Sequence, residues 1–330
     1  MAELSDQLLV VAVLAYLVAM ICHAAEYAFG QRGAVSRVAN RPARELVGAA
    51  VGGGSHDAVA KRPEEPAAFP PAVVPRDRGA LAGRAAVALT LLAAAAHLGS
   101  LVTRGVAAQR LPWGNMYEYL LAVTFVGVVA WLGVLFRRPA VRHLGLFVTL
   151  VMVLLLGVAG MLIYTPVGPL QPALDSYWFV IHISAAVISS GVFLLGVVPA
   201  ALYLIRAGHD QGNRAFPYSL GRRLPDAAAL ERLTFRLHVF AFPIWTFAIV
   251  AGAIWAEAAW GRYWGWDPKE TWAFISWVVY AGYLHARATP SVRHKTATWI
   301  AVLGFLTMLM NLFGVNLFFD NSLHSYAEVD

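Results

Sequence analysis

Residues 255–277 read WAEAAWGRYWGWDPKETWAFISW, and this stretch decides how the chain is read. Six of the eleven tryptophans fall here: Trp255, Trp260, Trp264, Trp266, Trp272 and Trp277. Glu257, Arg262, Asp267, Lys269 and Glu270 lie between them, and long apolar runs flank the segment on both sides. One or two tryptophans in such a place act as anchors at the membrane–water boundary, whatever the function. Six in 23 residues exceed what anchoring needs and form a shelf for a flat apolar ligand. The DPKE that follows is a helix start. Asp267 is a good N-cap, Pro268 suits the first helical position, and Glu270 completes a capping box. The shelf therefore leads directly into a helix that enters the membrane.

Composition agrees. The 330 residues are 59% hydrophobic and 13% charged, with mean hydropathy +0.61. A soluble domain carries about twice that charged fraction. The expected fold is all-α: a polytopic membrane protein of about eight transmembrane helices. The single cysteine, Cys22, excludes a disulfide framework and an internal CxxC pair. The first apolar run is too long for a signal peptide and has no basic residues before it, so it reads as a retained span. The net charge of +6 does not point to nucleic acid, because the charges follow membrane topology.

Apolar runs near the length a bilayer demands occur at about 7–29, 82–103, 115–136, 143–164, 176–206, 237–256, 269–287 and 297–318. Each is expected to be helical, since lipid cannot satisfy an open backbone. Of the 25 Lys and Arg, 21 fall on one side of these runs. Only Arg104, Arg110, Arg262 and Lys269 fall on the other. That split places both termini and the tryptophan shelf outside. Residues 1–30 make the first transmembrane helix. Residues 31–80, rich in Pro, Ala, Gly and charge, read as a flexible cytoplasmic linker. Residues 81–330 form the main membrane domain. Residues 225–237 are amphipathic and read either as a helix lying on the inner surface or as an inward extension of the sixth span.

WGRYWGWDPKETWAFISW resembles the tryptophan-rich "WWD" motif of the haem-handling protein superfamily of cytochrome c biogenesis. Within it, the sequence is similar to the CcsA/ResC branch of the System II pathway, called CcsB in some bacteria. The resemblance extends from about Ala85 to the C-terminus. It includes AAHLGSLVTRGVAAQRLPWGNMYEYL, where Arg104, Pro112, Asn115 and Glu118 match. It implies haem b as cofactor, carried through the plasma membrane and presented on the outer face for thioether attachment to the CxxCH of apocytochrome c. The implied activity is that of a subunit of holocytochrome c synthase acting with a ResB-like membrane partner and with thiol-reducing proteins of the pathway.

Topology sorts the ten histidines. His182 lies about two turns into the fifth span from its outer end, and His324 follows the eighth span, so both share the depth of the shelf. Haem iron takes neutral imidazole, and two opposed rings complete its coordination. The resemblance matches both positions. It also matches His285, near the inner end of the seventh span, to a membrane-embedded histidine of an entry site. His23, near the inner end of the first span, is the weaker match; in related systems that second ligand lies in the companion subunit. His97 either supports the outer pocket or bonds to a neighbouring helix. His56, His143, His209, His238 and His294 read as polar loops or helix ends. Trp260, Trp264, Trp266 and Trp272 are expected against the haem, with Asp267 holding the helix start. Arg104, Arg110, Arg262 and Lys269 are candidates for the haem carboxylates, with Asn115 and Glu118 as pocket support.

The tryptophan motif also occurs in haem exporters and chaperones that do not ligate haem, which is the alternative reading. A quinone- or ion-handling protein with purely anchoring tryptophans is a third class. No Ser-His-Asp, Walker or zinc-site pattern appears in the sequence, so the part expected of this chain is positioning.

Overall fold

The computed structural model describes residues 1–29, 78–319 and 322–324. Among these, regular structure is entirely helical. Eight long helices follow in order: α1 (Ala2–Phe29), α2 (Arg78–Ala108), α3 (Met116–Arg137), α4 (Gly145–Leu162), α5 (Tyr177–Asp210), α6 (Ala227–Trp260), α7 (Pro268–Ala288) and α8 (His294–Leu309). α8 continues through a π-turn, Met310–Gly314, into a last turn, Val315–Phe318.

Seven of these segments are long and apolar enough to cross a membrane; α7 has the length but is less apolar. Its end turns carry Lys269, Glu270, His285 and Arg287, and its buried face includes Ser276, Tyr280 and Tyr283. Its position is nonetheless that of a crossing helix. It starts at Asp267, which is bonded to His324 beyond the end of α8. It ends at Arg287, whose Nη2 donates to Glu231 near the start of α6 at 3.1 Å. α7 thus reaches from the shelf to the start of α6. The chain is a polytopic membrane protein, as composition requires.

Helix pairing follows from small and polar side chains, since lipid offers no hydrophobic drive between spans. α1 lies along α2. Each buries a row of small residues, Ala12, Ala15 and Ala19 on one and Ala86, Ala93 and Ala94 on the other. Ser5 Oγ donates to the Ser100 carbonyl at 2.9 Å across that seam. α5 is the central helix, packed on α3, α6 and α8. A Cβ at its Gly191 would lie 2.7 Å from the Val123 carbonyl, so only glycine lets α3 come this close.

Two expectations sharpen here. Of the expected linker 31–80, residues 31–77 lie outside the described residues, and Arg78–Ala80 already belong to α2. Residues 227–237 are the first turns of α6 rather than a separate surface helix. Glu231 on this segment is buried and pairs with Arg287 of α7, which ties it to the bundle. The same extension carries His238 inward. The reading of it as a loop or helix-end residue is corrected: it is 1% exposed, its Nδ1 donates to the Thr234 carbonyl, and its ring packs on Tyr280 and Tyr283.

Candidate functional site

A large cavity enters the bundle at the shelf and descends between α3, α5, α6 and α8. It encloses about 220 Å³, and about 1490 Å³ when its open mouth is counted. Trp113, Tyr263 and Trp264 stand near the mouth, with Leu194, Trp245 and Phe305 deeper. The walls are mostly apolar and aromatic, with a few polar groups set among them, as in small-molecule sites generally.

His182 and His324 both line this cavity. α5 starts at Ser176, whose hydroxyl accepts from Trp178 N, which puts His182 about two turns down the helix. The His182 ring lies against α6 at Gly252, where a Cβ would come within 2.7 Å of it. Its Nδ1 is 2.8 Å from the Ala248 carbonyl. A carbonyl only accepts, so Nδ1 carries the proton and the lone pair is on Nε2. His324 Nδ1 is 2.9 Å from Asp267 Oδ1, a carboxylate that likewise accepts, so in the neutral ring the lone pair is again on Nε2. Metal-binding histidines are characteristically oriented in this way, by a carbonyl or a carboxylate on the other nitrogen.

Trp255 joins the two rings. Its indole stacks on His182 at 5.8 Å and 12° and meets His324 edge-on at 5.5 Å. It is 1% exposed and donates from Nε1 to the Ala173 carbonyl at 2.9 Å. Trp260 lies 4.9 Å from both Trp255 and His324.

Asp267 is the anchor beneath His324. The capping box is present: Lys269 N donates to Asp267 Oδ1 at 3.0 Å, and Asp267 N donates to Glu270 Oε2 at 3.1 Å. The same carboxylate accepts from Ser322 Oγ at 3.0 Å and from Leu323 N at 2.7 Å. Burial alone pushes the Asp267 carboxyl up. The His324 bond and charge, with the Leu323 and Lys269 N–H groups, outweigh burial and bring it down to about 2. One residue thus caps α7 and ties down the segment that carries His324.

The shelf divides by role. Trp264 lines the cavity, Trp260 packs on His324, and Trp266 is 66% exposed, set edge-on to Trp264 and Phe274. Trp272 is half-buried and off the cavity wall. Trp255, counted in the shelf from sequence, also lines the wall, as do Trp113 and Trp245, which were not among the residues singled out from sequence. Of these, Trp113 Nε1 and Trp245 Nε1 are buried donors without a hydrogen-bond partner, and Asn316 Oδ1 on the same wall is an unpartnered acceptor.

The four basic residues expected beside the shelf separate equally clearly. Glu118, fully buried, accepts from Arg104 Nε at 2.8 Å, from Arg110 Nη1 at 2.6 Å and from Gly114 N at 2.8 Å. Asn115 caps α3 by accepting from Glu118 N and lines the cavity. Arg104 and Arg110 are therefore committed to holding the loop that carries Trp113. Arg262 pairs with Glu270 at 3.2 Å above the Trp260 ring. Lys269 alone among the four lines the cavity.

The remaining histidines lie elsewhere. His97 is fully buried, edge-on to Tyr16 of α1 and Phe125 of α3, and off the cavity wall. His23 is fully buried against Gly145 of α4, 3.6 Å from Glu26. His285 is exposed on α7. α1 packs on α2 and α4, whereas α7 packs on α6 and α8, and the His23 and His285 rings share no contact.

Comparison with known proteins identifies the family. Residues 113–322 match the family described as Cytochrome C assembly protein. The "Cytochrome c biogenesis protein CcsA" of Guillardia theta is 34% identical over 261 residues, covering 72% of this chain and 84% of that protein. That of Cyanophora paradoxa is 32% identical over 266 residues, covering 69% and 82%. That of Chlamydomonas reinhardtii is 39% identical over 160 residues, covering 48% and 43%.

Proposed function

Because this chain belongs to the cytochrome c assembly protein family, we propose that it is the haem-handling subunit of a cytochrome c synthase. Its substrate is haem, held on the tryptophan shelf outside the membrane for attachment to the CxxCH of apocytochrome c. One observation carries this reading. His182 and His324 line one cavity, and each has its Nδ1–H committed to an acceptor, which puts the lone pair of the neutral ring on Nε2. Neutral imidazole with an oriented ring is what haem iron takes as an axial ligand. The aromatic wall suits the macrocycle, and unpartnered donors such as Trp113 Nε1 suit its polar edge.

The chemistry asks little of the protein beyond placement. Each cysteine thiol adds across a haem vinyl group. A sulfur–carbon bond forms, the thiol proton goes to the other vinyl carbon, and nothing is oxidised. The chain's residues bind, orient and keep water from the reacting edge, which is where positioning catalysts gain most of their rate. His324 lies beyond α8 and is held by the Asp267 carboxylate, so it is the ligand that yields to the histidine of the incoming CxxCH. His182, on the central helix, stays.

Entry from the inner side is assigned to His285. Its exposed ring suits a site completed by a ResB-like partner subunit, whereas His23 is enclosed by α4. The test is reconstitution of the purified full-length chain with haem, followed by a reduced CxxCH peptide and its partner subunit. Haem bound with a two-imidazole spectrum and passed to the peptide supports the reading. Haem bound but never ligated favours an exporter, and absence of any Soret band rejects both.

A further inference from the structure

Two axial imidazoles define an axis but leave a porphyrin free to rotate about it. Thioether attachment needs the vinyl edge to face the thiols, so something must fix that rotation. In haem b the two carboxylates lie together on one edge and the vinyl groups lie away from it. A single cation placed to one side is sufficient to set the orientation.

The structure leaves one cation for this purpose. Arg104 and Arg110 are joined to Glu118, and Arg262 is joined to Glu270. Among the described residues, Lys269 has no ion pair and its Nζ makes no hydrogen bond, yet it lines the cavity. Glu270, the one carboxylate on the cavity wall among the described residues, is already engaged by Arg262, Gly265 N and Asp267 N. Asp267 nearby has both oxygens occupied by Lys269 N, Ser322, Leu323 and His324. Lys269 is also the second residue of α7, at the positive end of the helix dipole. A lysine there is locally unfavourable for the helix. On the cavity wall, its charge is available to an anion there.

We propose that Lys269 receives a carboxylate of the bound porphyrin and so fixes its rotation on the shelf, with the vinyl edge turned to the thiols. This rests on the haem reading above and deepens it. The test compares two probes, ferric protoporphyrin IX and its dimethyl ester, titrated into the full-length chain in detergent and read by the Soret band. The esters keep the ring, iron and vinyl groups and remove only the charges. Wild type is expected to bind the free acid about tenfold more tightly, as one charge-assisted contact in a partly dry site implies. Lys269→Gln should lose that preference by weakening the free acid while leaving the ester unchanged. Lys269→Arg should keep most of it. Comparing variant with wild type cancels the unequal partition of the two probes into detergent. A Lys269→Gln protein that retains the full preference overturns the assignment. Equal binding of both probes by wild type overturns it as well while leaving the haem reading intact. If wild type binds neither, the haem reading fails and the assignment falls with it.

Discussion

Asp267→Ala separates the account from a purely architectural reading of the tryptophan segment. The carboxylate is 5% exposed and accepts from Lys269 N, Ser322 Oγ, Leu323 N and His324 Nδ1. Losing the cap costs about 1 kcal/mol of α7 stability. Losing the other three bonds costs about 1 kcal/mol each, since the freed donors can partly rehydrate. The sum for the 322–324 segment is about 3 kcal/mol, or about a hundredfold in the population of docked His324. The carboxyl's own titration gives a similar size: held at about 2 instead of 3.8, it contributes roughly 2.5 kcal/mol when ionised. The bundle itself should survive, because most of its buried surface lies elsewhere. The assay is a haem titration of purified Asp267→Ala beside wild type. The variant should still bind through His182 but lose the two-imidazole spectrum, and millimolar imidazole should restore it. Asp267→Asn, which keeps a cap and one acceptor, should fall between. An unchanged spectrum and affinity in Asp267→Ala would refute the claim that this residue seats a ligand.

Four further outcomes follow from the same geometry. Gly252→Val puts a side chain where the His182 ring lies and should abolish haem binding as fully as His182→Ala, with the protein still inserted in the membrane; retained binding there argues against His182 as ligand. Glu118→Gln leaves Arg104 and Arg110 buried without their anion, so thermal unfolding should show a loss of about 3–5 kcal/mol, and an unshifted transition would mean the triad is not holding the outer loop. The Asp267 contribution is fully present above pH 3.8 and lost as pH falls through about 2, so His324 docking, followed by the two-imidazole spectrum, should be unaffected by this group between pH 7 and pH 5. Tyr263→Cys, in a chain with Cys22→Ser, should react with an impermeant thiol reagent in intact cells, because Tyr263 is 62% exposed on the shelf side; labelling only after lysis would invert the topology.

Most of the fold was legible because lipid leaves the backbone few choices. Each apolar run had to become a helix, and DPKE marked the start of α7 although that helix is the least apolar of the eight. Residues 225–237 were ambiguous because an amphipathic pattern fits either a surface helix or an extension. Only the pairing of Glu231 with Arg287, 56 residues away, decides for the extension. In the site, depth could be counted along each span, and that placed His182 and His324 at one level. Rotation about a helix axis could not be counted. Hence Trp255 and Trp113 proved to line the cavity, while Trp266 is largely exposed beside Trp264. Charge pairing was hidden for the same reason, and the segment from Arg104 to Glu118 carried its own neutralisation unseen. Asp267 was recognised as a cap from its local spacing. Its grip on residues 322–324 is a long-range contact that no local pattern encodes.

The central claim is that His182 and His324 together hold one haem on the tryptophan shelf. The most direct measurement is the visible absorption spectrum of the reconstituted full-length protein, taken for wild type, His182→Ala, His324→Ala and the double variant. The account predicts a low-spin, two-imidazole spectrum in wild type, its loss in each single variant with recovery on adding imidazole, and no site-bound haem in the double variant. A double variant that keeps the wild-type spectrum would contradict it.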